Sequence, residues 1–217
     1  MHLSRSFARR IGKTLSSTAQ NILVNDLPKL KYQLGIIEQL PKDKKIYLEI
    51  GIGDGVHFTT QAELNPKSLF IGVEVYLNGV AKTILEAKRK AISNILLWPD
   101  DLDLIMQEMP PERLDGIYIL FPDPWPKRKQ QKKRLFNEIR FNILKSKLKP
   151  GAFINFASDI EGYFDSVRDI ILHDQDFKLL SDDYGIPHAN YITTKYHQKA
   201  IMEGRIAQFL QVVYKSN

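Results

Sequence analysis

The chain has 217 residues, 43% of them hydrophobic, no cysteine and a formal net charge of +6. That length suits one sizeable domain with a modest embellishment, and the apolar content and mixed charges argue against a disordered chain. Disulfides, thiolate nucleophiles and thiolate metal sites are excluded, and no apolar run approaches the ~20 residues of a membrane span.

Residues 1–26 read as a flexible basic N-terminal arm, and the first 31 residues hold six bases against one acid. Leu27–Leu40 is predicted as a helix leading into the turn Pro41-Lys42-Asp43-Lys44. Ile46–Ile50 is a short strand, followed by a helix over His57–Leu64 that Asn65-Pro66 breaks. Leu69–Val73 is the second strand, Gly79–Ala91 a helix, Ile95–Trp98 the third strand, and Leu102–Met109 a helix stopped by two prolines. Leu114–Phe121 is a fourth strand, Lys132–Leu148 a long basic helix, Ala152–Ala157 a fifth strand, Ile160–Leu172 a helix and Ala207–Tyr214 a late strand. Apolar strands alternating with helices imply an α/β domain with a mostly parallel sheet covered on both faces. The less regular stretch 173–206 reads as an insertion before the last strand.

Charge is unevenly placed. Lys127 to Lys149 contains ten Lys or Arg and one acid, while the chain outside this run and the first 31 residues carries fifteen bases against twenty-three acids. A basic patch on an acidic body points to a polyanionic partner, or else to a solvated helix face.

Leu48-Glu49-Ile50-Gly51-Ile52-Gly53-Asp54-Gly55 places three glycines where a strand turns into a helix, which allows a ligand to approach the backbone. The Gly-Lys-Ser/Thr of a P-loop is missing. Glu49 at the turn's entrance would repel a pyrophosphate and attract an ammonium group. Glu74 ends the second strand, where a carboxylate can accept from ribose hydroxyls. Asp101 follows the third strand and could take an adenine amino group, although Asp100 or Asp101 also suits the N-cap of the next helix. Together these features fit S-adenosylmethionine.

Phe121-Pro122-Asp123-Pro124-Trp125-Pro126-Lys127 follows the fourth strand. Each proline stiffens the segment and biases the residue before it toward extended backbone. Here the sequence resembles the bacterial tRNA (guanine-N7-)-methyltransferases over Leu48 to Arg205. The resemblance rests on the Gly51–Gly55 turn, Gly72-Val73-Glu74-Val75, the Asp123 segment and Lys132-Lys133-Arg134. It implies a Rossmann-like class I methyltransferase fold with a late antiparallel strand, and one methyltransferase domain over 27–217 with a substrate-side insertion at about 173–206. It also implies methyl transfer from S-adenosylmethionine, giving S-adenosylhomocysteine, to N7 of guanosine at nucleotide 46 in the tRNA variable loop. The cofactor residues implied are Glu49, Glu74, Asp101 and Asp123, beside the glycines Gly51, Gly53 and Gly55. The substrate residues implied are Lys127, Asp159 and Thr194-Lys195-Tyr196-His197.

His197 departs from the family pattern, which has glutamate there. Asp123 is expected to orient the guanine rather than abstract a proton, and Asp159 either accepts a guanine N–H or caps the following helix. Arg128, Lys129, Lys132, Lys133 and Arg134 are expected on tRNA phosphates. No metal is expected, since the histidines lack ligand spacing. The expected setting is cytoplasmic, as a monomer or homodimer whose partner is tRNA. The alternatives are a methyltransferase for another RNA base or a small molecule, and a non-catalytic RNA-binding protein.

Overall fold

The computed structural model describes residues 14–125, 127–188 and 190–215. The first half of the expected arm at 1–26, residues 1–13, therefore lies outside the described residues, but the second half does not. Ser16 Oγ accepts from the Ala19 N–H and starts helix α1 (Ser17–Asn25). Two compact units divide at Pro110–Pro111.

The first unit continues through α2 (Leu27–Leu30), β1 (Ile46–Ile50), α3 (Val56–Leu64), β2 (Leu69–Val73), α4 (Leu77–Arg89), β3 (Ile95–Trp98) and α5 (Leu102–Glu108). β1 pairs with β2 and β2 with β3, all parallel. The helix expected over 27–40 is not continuous. Lys31 bridges Leu97, and the Tyr32 N–H donates to the Leu97 carbonyl at 2.9 Å, so this backbone lines the edge of β3 instead. Tyr32 is 2% exposed and meets Trp98 edge to face. Tertiary burial outweighs local helix preference here.

The second unit contains β4 (Leu114–Leu120), a 3-10 turn (Arg128–Lys133), α6 (Glu138–Lys145), β5 (Leu148–Ser158), α7 (Glu161–Leu172), β6 (Phe177–Tyr184), α8 (Lys195–Met202) and β7 (Gln208–Tyr214). β4 and β5 are parallel, whereas β7 pairs antiparallel with both β5 and β6. The long helix expected over 132–148 begins only at Glu138. Asn137 caps α6 through Oδ1, and buried Arg140 donates to the carbonyls of Arg134 and Leu135, which holds those residues out of the helix. The stretch 173–206 contains β6 and α8 rather than irregular chain. A register shift between Leu179 and Ser181 hides the strand's alternation.

The strands run β3-β2-β1 in the first unit and β4-β5-β7-β6 in the second. A mostly parallel sheet, flanking helices and two late antiparallel strands make the Rossmann-like class I methyltransferase fold. No helix among the described residues is long and apolar enough to cross a membrane.

Candidate functional site

β1 delivers Glu49 and ends in the glycine turn. Gly51, Gly53 and Gly55 have φ of 79°, 59° and 80°, the left-handed region that glycine enters without penalty. Their surroundings differ. A Cβ on Gly55 would fall 2.4 Å from Thr83 Oγ1, so this glycine serves the packing of α3 on α4. A Cβ on Gly51 would meet nothing within 4 Å, leaving open space over the turn. Gly79, in the first turn of α4, belongs to the same construction, because a Cβ there would lie 2.3 Å from the Gly53 carbonyl oxygen.

Glu74, after β2, holds that turn in shape. Its Oε2 accepts from the Gly53 N–H and its Oε1 from the Tyr76 N–H, each at 2.8 Å. An ionised carboxylate offers about four acceptor sites, so fixing two backbone donors is compatible with binding hydroxyls. Asp101 is 6% exposed and caps α5, its Oδ1 accepting from the Asp103 N–H at 3.0 Å. The Asp101 N–H donates in turn to Asp100 Oδ1. Of the two readings of Asp101, the cap is present. Glu49 is 3% exposed and paired through Oε2 with His57 Nδ1 at 2.7 Å. His57 is not among the residues expected at the site, although its spacing to Gln61 puts both on one face of α3. Carboxylate acceptors around an open glycine turn suit a ligand carrying an ammonium group and ribose hydroxyls, as S-adenosylmethionine does.

In the second unit, β4 leads into Asp123. The Phe121 N–H donates to the Ala157 carbonyl, extending the ladder with β5 by one bond. Phe121 and Trp125 then adopt φ of 53° and 41°, although each precedes a proline and is expected to be extended. Such conformations cost on the order of 1–3 kcal/mol each and persist only where surrounding contacts impose them. Phe121 is buried, stacked on His197 at 5.4 Å and edge-on to Phe209. Trp125 lies under Lys133, whose Nζ is 4.8 Å from the ring centroid. Pro126 lies outside the described residues.

Arg134 fastens this loop. Its Nε donates to the Pro124 carbonyl at 3.0 Å and its Nη1 to Ser166 Oγ on α7 at 3.3 Å. The guanidinium carbon sits 4.6 Å from the ring centroid of buried Tyr163. Burial pushes the Tyr163 phenol up to about 12, so it stays protonated while its oxygen accepts from the Phe136 N–H. Arg134, expected on a tRNA phosphate, thus commits Nε and Nη1 to Pro124 and Ser166. Asp123 itself is exposed and, among the described residues, has no hydrogen bond or ion pair. Lys127, Arg128, Lys129 and Lys132 are exposed as well.

Among the remaining expected residues, Asp159, Thr194 and His197 have structural partners. Asp159 neither caps α7, whose N-cap is Ile160, nor stands alone: its Oδ2 accepts from Arg205 Nε at 2.7 Å. Arg205 also pairs with Glu203, and both acids raise its pKa. Thr194 caps α8, its Oγ1 accepting from the His197 N–H. The His197 ring is 9% exposed, packs against Tyr191 and Phe209, and lies 3.2 Å through Nδ1 from Tyr191 Oη. Burial lowers its pKa, with Asp159 opposing. Lys195 and Tyr196 are exposed on the same helix.

The family model described as "Putative methyltransferase" matches residues 43–210. A protein of Rickettsia felis called "Bifunctional methyltransferase" is 52% identical over 97% of this chain, and the chain spans 40% of that relative's length. A "tRNA (guanine-N(7)-)-methyltransferase" of Hyphomonas neptunium is 35% identical over 91% of this chain and 94% of its own. Among solved structures, the 16S rRNA methyltransferase KamB superposes with a TM-score of 0.62 at 14% identity, covering 86% of this chain and 95% of the other, a likeness of fold. The chain belongs to this methyltransferase family, has the class I methyltransferase fold and is related to the bacterial tRNA methyltransferases.

Proposed function

We propose that the chain methylates N7 of a guanosine in the variable loop of tRNA, in the cytoplasm. The observation that carries this reading is Asp123, an exposed carboxylate without a partner among the described residues. It stands on a loop bracketed by two left-handed residues and followed by exposed Lys127, Arg128, Lys129 and Lys132. The name of the Hyphomonas neptunium relative, a tRNA (guanine-N(7)-)-methyltransferase, supports the choice of base and RNA.

Guanosine N7 has a lone pair and no proton, so its methylation needs no general base. S-adenosylmethionine, held at the glycine turn, would supply an electrophilic methyl on sulfur, with S-adenosylhomocysteine as the leaving group. The protein's part is alignment and charge. Glu74 and the glycine turn would hold the ribose end of the cofactor, and Glu49 would hold its ammonium. Asp123 accepts guanine N–H groups and favours the positive charge that grows on the ring as N7 is alkylated. Lys127 meets phosphate or guanine O6, and Arg128, Lys129 and Lys132 take backbone phosphates. Asp159 and the stretch 194–197 keep a substrate-side role in this reading, and a guanine N–H would have to compete with Arg205 for Asp159.

Nucleoside mass spectrometry of unmodified tRNA incubated with protein and labelled S-adenosylmethionine tests the reading. We expect labelled 7-methylguanosine. We also expect Asp123→Asn to cut single-turnover methylation by about 10²–10³-fold with an unchanged melting curve, as for loss of one preorganised charge-stabilising group. Label on a different base, or on a small molecule alone, would overturn the assignment.

A further inference from the structure

His57 has no task in the reading above. α3 starts directly after the glycine turn and sets His57 and Gln61 one helical turn apart on the same face. Both are buried, at 2% and 4% exposure. His57 Nδ1 is 2.7 Å from Glu49 Oε2, and His57 Nε2 is 3.5 Å from Gln61 Nε2. A carboxylate oxygen accepts, so the proton of the bond to Glu49 sits on His57 Nδ1 and is given to Glu49. Among the described residues, His57 is the partner of the Glu49 carboxylate. A buried carboxylate lacking a donor is costly, and it would also turn about its own side-chain bonds.

We propose that His57 is a positioning residue for the amino-acid end of the cofactor: by holding Oε2 of Glu49 it aims Oε1 at the ligand's ammonium group. The proposal rests on the reading that Glu49 receives that ammonium. The arrangement is analogous to the outer partners that orient metal ligands, where a buried hydrogen bond fixes the side chain that touches the ligand. Gln61 stands at the ring's other nitrogen, Nε2. Glu74 and the Gly51–Gly55 turn, which face the nucleoside end in this reading, do not depend on it.

Two ligands separate a positioning role from a structural one. S-adenosylhomocysteine carries the amino-acid end, whereas 5′-methylthioadenosine lacks it. Calorimetric titration of His57→Phe should show S-adenosylhomocysteine bound about tenfold more weakly or worse, with 5′-methylthioadenosine within about twofold of wild type. His57→Asn, whose Nδ2 stands near the place of Nδ1, should recover S-adenosylhomocysteine binding to within about threefold of wild type. Equal loss of both ligands, or no rescue by asparagine, overturns the proposal. Glu49→Gln tests the reading beneath it. If that variant loses S-adenosylhomocysteine selectively while His57→Phe does not, only the role of His57 falls; if it binds both ligands as wild type does, both ideas fall. Should His57→Phe not fold, the wild-type protein still decides. Its His57 ring nitrogen resonances should move on adding S-adenosylhomocysteine and stay in place with 5′-methylthioadenosine, and identical responses to the two ligands refute the proposal.

Discussion

Replacing Arg134 by alanine asks whether the Asp123 loop is held from outside or is stable by itself. The change removes a charge-assisted hydrogen bond to the Pro124 carbonyl and a second bond to Ser166. The first is worth about 1.5–3 kcal/mol. It also removes the stacking of the guanidinium over Tyr163, worth about 0.5–2 kcal/mol. Arg134 is only half-buried, so water replaces part of what is lost, and about 2–4 kcal/mol of destabilisation is the reasonable sum. The strained residues Phe121 and Trp125 lie on either side of the fastened Pro124. Without the fastening they should relax toward the extended conformation their prolines favour, displacing Asp123. Urea unfolding of Arg134→Ala and Arg134→Lys reads the stability, and single-turnover methylation reads the loop. Lysine keeps the charge but not the planar fork, so it should recover less than half of the lost stability. If Arg134→Ala unfolds within about 0.5 kcal/mol of wild type, the arginine is a surface cation and the fastening is not what holds the loop.

Glu74→Ala removes both acceptors that shape the glycine turn and should weaken S-adenosylmethionine binding by about 1–3 kcal/mol in calorimetry, with Glu74→Gln intermediate. Unchanged binding in both would take Glu74 out of the site. Gly79→Ala forces a methyl against the Gly53 carbonyl oxygen and should cost about 1–3 kcal/mol. Gly51→Ala meets only the left-handed penalty, about 1–2 kcal/mol, so thermal melts that rank Gly51→Ala as the worse variant would contradict the packing account. The folded-state pKa of His197 is lowered, so the unfolded chain takes up the proton first. The stability His197 contributes is therefore complete above the unfolded value near 6.5 and is lost as pH falls through the folded one. His197→Phe should lessen the fall in stability between roughly pH 7 and 5, and an identical fall would assign it to other groups. Replacing Lys127, Arg128, Lys129 and Lys132 together with alanine should lower the log–log salt slope of tRNA binding by about three to four units while the melting curve stays put. A slope that does not move marks these residues as a solvated face.

The alternation of strands and helices is legible because short apolar runs are punctuated by Gly and Pro, a local signal that the parallel sheet preserves. What fails depends on partners distant in the chain. Residues 31 and 32 leave the helical path to line Leu97, and β6 hides behind a register shift at an edge. Phe121 and Trp125 take the backbone region that their prolines disfavour, because burial and Arg134 hold the chain there. Glu49 and Glu74 are recognisable as acids at strand ends, but the sequence does not show that one is tied to His57 and the other to Gly53 and Tyr76. The charge run shows the limit most clearly. Ten cations between Lys127 and Lys149 look like one surface, yet the fold divides them. Arg134 and Arg140 donate to backbone carbonyls. Lys145 pairs with Asp174 and Asp176, and Lys149 with Asp115. A cation held by an acid or a carbonyl releases little counterion when a phosphate arrives, so counting bases overstates the electrostatic grip on RNA. The exposed cluster that starts at Lys127 lies directly beyond Asp123 in the chain, which places the unengaged charge beside the carboxylate assigned to the guanine.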